Sequence, residues 1–412
     1  MISLIEALNY RCLRYVRQEL RPFHVLVGPN ASGKSTFLDA IAFVRDLVAK
    51  GVDEAVESRT LNFYDLVWQQ AGDGFELAVE AAIPQSLCDS LEDSAYRTVR
   101  YEVAVGLDKT ANRMEIVAEQ ALLKVHSDSE RTPRDAPPET LIEQTALDPS
   151  GSLSSHCLFA RSRDGRSMIR QSSGSGPPAK AHFPWSLLSG VPHWDFREPV
   201  ARWLQARLSD AVEGMRLEPL SLRMASAPGQ GTQIGPDGFN LPWVIAQLVR
   251  NSPERLQQWI EHLQTALPDL IGITTIERPE DRHRYLSLEY RDGLTVPSWM
   301  VSDGTLRLLA LTLPAYLPDF RSVLMVEEPE NGLHPLAIET VYQSLSSVYD
   351  GQVLLATHCP LLVAVAKPSE VLCFSRDSEG ATQIVSGDRH PRLSDWRGEV
   401  DLGTLFASGV LG

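Results

Sequence analysis

The pattern of apolar and polar positions near the start of the chain predicts a hairpin, followed by a strand and a helix. Residues 2–8 (ISLIEAL) and 13–20 (LRYVRQEL) flank a polar turn, which is typical of two paired strands. The apolar run 23–27 (FHVLV) predicts a buried strand, and the helical spacing that begins at Phe37 is expected to continue to about Ala49. A glycine-rich loop joins this strand to this helix.

Valine-rich, partly alternating segments predict an antiparallel sheet after the first helix. These segments are 75–83 (FELAVEAAI), 100–107 (RYEVAVGL) and 114–125 (MEIVAEQALLKV), and Gly, Asp and Asn turn residues separate them. From His126 to Ala181 the composition changes to Ser, Pro, Gly and Asp, with DAPPE and SSGSGPPAK as the most linker-like pieces. We expect loops in this region.

Helical spacing returns in the second half of the chain. Residues 197–215 predict one helix, and two further helices are expected at 243–248 and 256–267. Residues 271–277 and 284–293 then predict a second hairpin. Because no segment sustains the several heptads of a long coiled coil, long helical arms are not expected.

Composition places the chain among globular proteins. A length of 412 residues with 43% hydrophobic residues allows a large core, in two or three domains or in one domain with an insertion. The formal net charge of -15 argues against a surface coated with phosphate-binding Lys and Arg, although a local basic strip could contact nucleic acid. Five scattered cysteines give no zinc or disulfide pattern. Without a membrane-spanning run or a signal peptide, the expected location is cytoplasmic, with no membrane partner.

Residues 28–36 (GPNASGKST) match the pattern G-x-x-x-x-G-K-[ST] between a predicted strand and a predicted helix. Gly28 and Gly33 let backbone N–H groups curl around a β-phosphate, while Lys34 neutralises the β- and γ-oxygens. The hydroxyl of Ser35 can ligate Mg²⁺ at the positive end of the helix. The alternative is a chance match, but the flanking strand and helix favour a nucleotide-binding site.

Two adjacent carboxylates end the buried run in 322–335 (SVLMVEEPENGLHP). Glu327 could hold Mg²⁺ directly or through water, and Glu328 could orient or deprotonate an attacking water. Taken alone, two acids after a strand more often mark a solvated strand end. Paired with the glycine loop, they favour the functional interpretation.

Two further segments are ambiguous when each is taken alone. Residues 300–313 (MVSDGTLRLLALTL) contain Ser302 and Gly304, which predict either an ordinary N-capped core helix or an anion site at a helix N-terminus. Residues 352–360 (QVLLATHCP) predict a buried strand that ends near His358. This histidine is either a common strand-end residue or a sensor of a γ-phosphate, and its place after the acidic strand favours the second interpretation.

The order of these segments resembles that of the ATP-binding-cassette ATPases. GPNASGKST, SDGTLRLLAL, EEPENGLHP and ATHCP carry the resemblance, whereas residues 126–290 match only loosely. More narrowly, the chain is similar to the SMC/RecF-like branch and its stand-alone bacterial AAA-family ATPases, relatives of the overcoming-lysogenization-defect proteins. The resemblance implies an α/β ABC-type P-loop ATPase head with a mixed central sheet, an antiparallel β subdomain and a helical insertion. The missing heptads add that no long coiled coil is expected.

The resemblance also implies three consecutive domains. Residues 1–125 would form an N-terminal ATPase lobe with the phosphate loop and the antiparallel β subdomain. Residues 126–290 would form the loop-rich and helical insertion. Residues 291–412 would form a C-terminal ATPase lobe with the signature, Walker B, D-loop and switch histidine.

In this family two ATPase heads clamp two nucleotides between them, so the resemblance implies ATP and Mg²⁺ as cofactors and a homodimer that forms with ATP. Glu328 would be the catalytic base and His358 the switch histidine. Ser302 and Gly304 would contact the opposite nucleotide, and the D-loop from Asn331 to His334 would couple the two sites. The residues expected to bind ATP are Arg11, Gly28, Asn30, Gly33, Lys34, Ser35 and Thr36. The residues expected to bind Mg²⁺ are Ser35, Glu327 and Gln69, with Gln70 as the alternative to Gln69.

Two residues depart from the family pattern. Glu327 stands where an aspartate is usual before the catalytic glutamate, which moves the carboxylate outward by about one methylene. Asp303 stands where the signature usually has glycine, so contact with the opposite nucleotide is expected to be looser.

The leading hypothesis is an ATP-hydrolysing homodimeric switch in DNA maintenance or anti-phage defence that controls a separate effector protein, for which a nuclease is one candidate. Only 54 residues follow His358, too few for a fused toprim nuclease domain. The ATPase subunit of a membrane transporter is a weaker hypothesis, because 274 residues separate Gly28 from Ser302.

The alternative hypothesis is a RecF-like DNA-binding repair ATPase, with DNA as a further partner. Its candidate phosphate contacts are arginines in or near the polar middle of the chain, although a solvated loop is the better explanation of these arginines. These arginines are Arg97, Arg100, Arg161, Arg163, Arg166 and Arg170.

Overall fold

The computed structural model describes most of the chain as strands and helices. The described residues are 1–89, 91, 95–126, 136–143, 156–163, 167–171, 174–175, 185–189, 199–231, 233–393, 396, 398 and 400–411. Much of the predicted linker-like region lies outside them, including the first residue of DAPPE and most of SSGSGPPAK.

The strands and helices are numbered here in chain order. The strands are β1 (Ile2–Tyr10), β2 (Leu13–Glu19), β3 (Phe23–Val27), β4 (Gly74–Ala82), β5 (Thr98–Asp108), β6 (Arg113–Lys124), β7 (Cys157–Arg161), β8 (Ser167–Gln171), β9 (Gly174–Ser175), β10 (Val212–Met215), β11 (Leu270–Glu277), β12 (Arg284–Tyr290), β13 (Thr295–Pro297), β14 (Val323–Glu327), β15 (Gln352–Ala356), β16 (Val371–Arg376) and β17 (Thr382–Ser386). The helices are α1 (Lys34–Lys50), α2 (Val52–Glu57), α3 (Gln85–Cys88), α4 (Pro199–Ser209), α5 (Pro219–Arg223), α6 (Leu241–Asn251), α7 (Pro253–Leu263), α8 (Asp303–Thr312), α9 (Pro335–Ser346), α10 (Pro360–Val365) and α11 (Leu402–Ala407).

The chain divides into two compact units, each built from separate segments. The first unit comprises Met1–Arg21, Asn30–Val212 and Phe374–Ile384. The second unit comprises Pro22–Pro29, Glu213–Cys373 and Val385–Gly412. The three consecutive domains expected from the sequence stay a prediction.

An eight-stranded sheet with the order β2-β1-β4-β5-β6-β7-β8-β9 dominates the first unit. Neighbouring strands of this sheet pair antiparallel, which confirms the predicted hairpin and the predicted sheet of three valine-rich strands. Helix α1 packs on this sheet through aromatic rings, because Phe43 lies 5.8 Å from the ring of Tyr10 and 5.1 Å from that of Phe75 between centroids. The alternation of the strands supplies the apolar face that this helix covers.

The first unit also buries a cluster of charges. Arg100, on β5, is 4% exposed and contacts carboxylates of three strands. Its guanidinium lies 2.6 Å from Glu6, 2.5 Å from Glu102 and 3.4 Å from Glu80. Arg100 was a candidate DNA contact. This prediction is wrong, because its guanidinium is buried and paired with these carboxylates.

Arg161 is a second candidate DNA contact that the structure buries. It is 6% exposed, and its guanidinium donates to the carbonyl oxygen of Trp185 at 2.9 Å. Of the other candidates, Arg97 is exposed and the side chain of Arg163 is 57% exposed beside Glu76. Arg166 and the side chain of Arg170 lie outside the described part of the chain, so the basic strip is reduced to two described residues.

Parallel strands organise the sheet β10-β14-β15-β3-β16-β17, of which β3, β14 and β15 lie wholly in the second unit. β14, β15, β3 and β16 run parallel, with Leu355 of β15 opposite both Val326 of β14 and Val25 of β3. All five residues of β3 and of β15 are buried, as expected for a parallel sheet covered on both faces. The predicted buried strands are therefore confirmed.

Helices α6, α7, α8 and α9 contribute to the core of the second unit, which confirms the predicted helix pair. Trp259 of α7 is fully buried, and its indole N–H donates to the hydroxyl of Thr312 at 2.8 Å. A separate antiparallel sheet, β11-β12-β13, contains the predicted second hairpin. No helix among the described residues has the length and apolar character needed to cross a bilayer.

The prediction of one helix over 197–215 is partly wrong. Helix α4 ends at Ser209, and residues 212–215 form β10, which lies beside β14. Gly214 disfavours a helix interior, and pairing at the sheet edge satisfies the backbone groups of these residues instead. Residues 197 and 198 lie outside the described range.

Replacing Arg100 with leucine tests the buried charge cluster. We expect Arg100→Leu to lower the free energy of unfolding by about 3–5 kcal/mol, because three buried carboxylates lose their shared counter-charge. The control is Arg97→Leu, an exposed neighbour that should change it by about 0.5 kcal/mol or less. Chemical denaturation measures both, and equal small effects would contradict the structural role of Arg100.

Candidate functional site

Three parallel strands of the second unit end at the same edge of their sheet. Glu327, the last residue of β14, is opposite Ala356 of β15, which is opposite Leu26 of β3. The ladder continues one residue further, since Glu328 donates its N–H to the carbonyl of Ala356 at 2.8 Å and Thr357 donates to that of Leu26 at 3.1 Å. The backbone therefore fixes where the predicted acids, the predicted histidine and the start of the glycine loop emerge.

The glycine loop leaves β3 in a conformation that requires glycine. Gly28 has φ 149° and Gly33 has φ 107°, a region that side chains disfavour. A Cβ on Gly33 would also lie 2.2 Å from the hydroxyl oxygen of Thr382. The backbone therefore favours glycine at both positions, and the contact with Thr382 excludes a larger residue at Gly33.

The loop ends at the N-terminus of α1, which begins at Lys34. Lys34 is buried, Ser35 and Asn30 are exposed and Thr36 is half-buried. The hydroxyl of Ser32 is buried and has no hydrogen-bond partner among the described residues. An orphaned hydroxyl beside the N-terminus of a 17-residue helix fits an anionic ligand such as a phosphate.

The chain passes between the units inside this loop. Gly28 belongs to the second unit, whereas Lys34, Ser35 and Thr36 belong to the first. That Lys34 and Glu328 act on one triphosphate therefore stays a prediction.

The two adjacent acids lie in different surroundings. Glu327 ends β14 with a side chain that is 34% exposed, and Arg216 lies 3.9 Å away. Glu328 is exposed and adopts φ 49°, an uncommon left-handed conformation for a glutamate. The side-chain amide of Asn331 donates to its carboxylate at 2.6 Å, so this D-loop candidate holds the candidate base.

The turn after the acids contains a contact that sequence reasoning missed. The carboxylate of Glu330 accepts the hydroxyl of Thr357 at 2.7 Å and the backbone N–H of His358 at 3.0 Å. His358 is itself half-buried. Glu330 stands close to the recognised acids in sequence, but no spacing rule shows that it reaches a residue 28 positions away.

The signature candidates lie at the start of α8, in the second unit. Ser302 is the N-cap, and its hydroxyl oxygen accepts the N–H of Thr305 at 3.2 Å. A Cβ on Gly304 would lie 2.5 Å from the carbonyl oxygen of Gly332, so the D-loop backbone packs closely on this helix start. The carboxylate of Asp303 is 2.7 Å from the guanidinium of Arg223. His334, at the other end of the D-loop, is an exposed N-cap of α9.

Arg11 and Gln69, both predicted from the resemblance, lie in the first unit. Arg11 has φ 49°, and its guanidinium is 3.4 Å from the carboxylate of Asp39 on α1. Tyr10 donates its hydroxyl to the same carboxylate at 2.6 Å, and burial together with this charge raises the pKa of the phenol. Gln69 is exposed, with φ 51°, in a short 3-10 turn.

No cluster of three or more His, Cys, Asp or Glu side chains in the described residues could hold a metal ion by itself. In proteins Mg²⁺ is usually held by one or two carboxylates together with waters and the phosphates of its nucleotide.

Comparison with known proteins places the chain in a family. A family model described as "AAA domain, putative AbiEii toxin, Type IV TA system" matches residues 23–137 and 188–364, well over half of the chain. No curated protein matched the chain.

Solved structures show the fold. An SMC head bound to the C-winged helix domain of ScpA has a TM-score of 0.55 and 15% identity, over 93% of this chain and 96% of that chain. An SMC head with an extended coiled coil, bound to the C-terminal domain of ScpA and derived from Pyrococcus furiosus, has a TM-score of 0.48 and 14% identity, over 93% and 95%. The SMC head domain from Thermotoga maritima has a TM-score of 0.45 and 12% identity, over 93% and 98%. The first of these confirms the predicted SMC-like ATPase head fold.

Replacing Gly304 with alanine tests the contact between α8 and the D-loop. Helix propensity alone favours alanine by about 1 kcal/mol, but the added methyl group would displace the backbone at Gly332. We expect Gly304→Ala to destabilise the protein by about 1–3 kcal/mol in chemical denaturation. Gly231→Ala, in open space, should be neutral or stabilising by up to about 1 kcal/mol. A gain of stability in Gly304→Ala would rule out the close approach.

Proposed function

Since the chain belongs to the family described as "AAA domain, putative AbiEii toxin, Type IV TA system", and is thus an AAA-type ATPase with an SMC-head-like fold, we propose that it hydrolyses ATP and dimerises around the nucleotide. In this proposal the dimer is a regulatory switch in DNA maintenance or anti-phage defence that controls a separate effector. The kinship with overcoming-lysogenization-defect proteins belongs to the proposal as well.

The observation that carries the proposal is the shared edge of β3, β14 and β15. Gly28, Glu328 and the segment with His358 leave adjacent parallel strands there, in register. A phosphate loop, a base and a sensor of the γ-phosphate need this juxtaposition, because phosphoryl transfer depends chiefly on positioning and electrostatic stabilisation.

Each side chain has a role in the proposed reaction. Glu328 orients the attacking water or accepts its proton, while His358 senses the γ-phosphate. Asn331 holds the carboxylate of Glu328 and so links the base to the D-loop. The residues proposed to bind ATP within one subunit are Arg11, Gly28, Asn30, Gly33, Lys34, Ser35 and Thr36, and those proposed to contact the nucleotide of the second subunit are Ser302 and Gly304.

Mg²⁺ is the metal of this proposal, and Ser35, Glu327 and Gln69 would hold it. Ser35 and Gln69 are exposed, and Glu327 keeps a partly exposed carboxylate at the end of β14. When bound, Mg²⁺ neutralises the charge that develops on the phosphates. Glu327 supplies a carboxylate one methylene longer than the aspartate usual in the wider family, which its half-exposed position accommodates.

A partner protein is the second part of the proposal. The first similar SMC head was solved with a domain of ScpA, so a head of this fold can bind another protein. The description of the matched family names a toxin of a type IV toxin-antitoxin system, which is compatible with a defence role. The RecF-like alternative is less well supported, since Arg100 and Arg161 are buried.

Replacing Glu328 with glutamine tests the proposed reaction. We expect Glu328→Gln to bind ATP with Mg²⁺ but to hydrolyse it at least about 100-fold more slowly, because the amide cannot accept a proton from water. The variant should also accumulate as an ATP-dependent dimer. Phosphate release, nucleotide binding and size-exclusion chromatography with light scattering measure the three effects.

The matched control is Glu339→Gln, an exposed glutamate on α9 that should keep the turnover of the unchanged protein. A monomeric Glu328→Gln protein with normal turnover would refute the assignment of the base. Absence of ATP hydrolysis in the unchanged protein, together with normal ATP binding, would refute the ATPase itself.

A further inference from the structure

Glu330 joins two chain segments that are far apart in sequence. It lies in the turn after β14, whereas its two partners, Thr357 and His358, follow β15. The same oxygen, Oε1, accepts the hydroxyl of Thr357 and the backbone N–H of His358. One atom therefore ties the turn that carries the proposed base to the segment that carries the proposed sensor.

Thr357 extends this connection. It is fully buried, and its hydroxyl oxygen also accepts the N–H of Cys359 at 2.9 Å. The hydroxyl thus uses its donor towards Glu330 and an acceptor position towards Cys359. The backbone of His358 is held on both sides, by Glu330 at its own N–H and through Thr357 at the next residue.

The other carboxylate oxygen of Glu330 does not take part. Oε2 is buried and has no hydrogen-bond partner in the part of the chain that the structure describes. The two hydrogen bonds to Glu330 thus need only one acceptor oxygen. The side-chain carbonyl of a glutamine can supply that oxygen. Glu328 differs, because its carboxylate is exposed at the sheet edge and its proposed role requires proton transfer.

We propose that Glu330 is a positioning residue that fixes the backbone of His358 through its hydrogen-bond acceptor and not through its negative charge. This inference rests on the proposed function for its kinetic consequence. It assigns different roles to two glutamates that stand two positions apart: glutamine abolishes the role of Glu328 and preserves most of the role of Glu330.

Steady-state ATP hydrolysis separates these roles. Glu330→Ala should lower kcat about 10- to 100-fold and change KM by less than about threefold, because a misplaced sensor impairs the reaction more than binding. Glu330→Gln should recover at least about a third of the original kcat, whereas Glu328→Gln should stay at least about 100-fold slower. An inactive Glu330→Gln, or a fully active Glu330→Ala, would overturn the proposal.

Thr357→Val provides a second test that keeps the volume of the side chain. It removes the hydroxyl but leaves the bond from His358 to Glu330, so kcat should fall less than in Glu330→Ala. The double variant should be no slower than Glu330→Ala alone, because both changes break one network. Additive losses in the double variant would argue against a shared network. If Glu330→Ala failed to fold, full activity of Thr357→Val would still argue against it.

Amide hydrogen exchange at His358 reports the same contact without any ATP hydrolysis. Exchange should be about tenfold or more faster in Glu330→Ala than in the unchanged protein and nearly unchanged in Glu330→Gln. If Glu330→Ala exchanges faster but the unchanged protein hydrolyses no ATP, the proposed function is refuted and the contact of Glu330 with His358 is supported. Equal exchange in all three proteins would refute the positioning role, whatever the turnover.

Discussion

The parallel register of β3, β14 and β15 is the constraint on which the candidate site depends. Backbone hydrogen bonds from Glu328 to Ala356 and from Thr357 to Leu26 carry the ladder one residue beyond the strands. A slip of one residue would turn every side chain of a strand to the opposite face, which the close packing of both covered faces disfavours. These backbone hydrogen bonds thus set the positions of the proposed base and sensor without any contribution from their side chains.

Polar contacts then refine what the backbone places. Glu328 has a left-handed conformation that costs about 1–2 kcal/mol for a residue other than glycine. The carboxylate of Glu328 accepts a hydrogen bond from the side-chain amide of Asn331. The backbone carbonyl of Glu328 accepts another from the backbone N–H of Asn331, at 3.1 Å. Such bonds are worth about 1 kcal/mol or more each, which offsets the strain and keeps the acid exposed at the sheet edge.

Periodicity predicts much of this fold, because strand alternation and fully apolar strands are properties of single segments. It fails where a contact joins distant segments. Residues 212–215 looked helical, but they pair beside β14. Arg100 was a candidate DNA contact, yet it pairs with the carboxylates of Glu6, Glu80 and Glu102. The glycine loop and the acids could be found by motif, whereas Glu330 could not, because its partners become neighbours only through the register of β14 and β15.

Glutamates 327, 328 and 330 show why residue type alone does not assign a role. All three lie in one short acidic segment, but the structure gives them different surroundings. Glu327 ends β14 with a half-exposed side chain. Glu328 is exposed and accepts a hydrogen bond from Asn331, whereas Glu330 accepts one from Thr357, after the end of β15. Environment decides whether a carboxylate binds a cation, moves a proton or only accepts hydrogen bonds. Three identical side chains can therefore have three different roles in one site, because each has different neighbours.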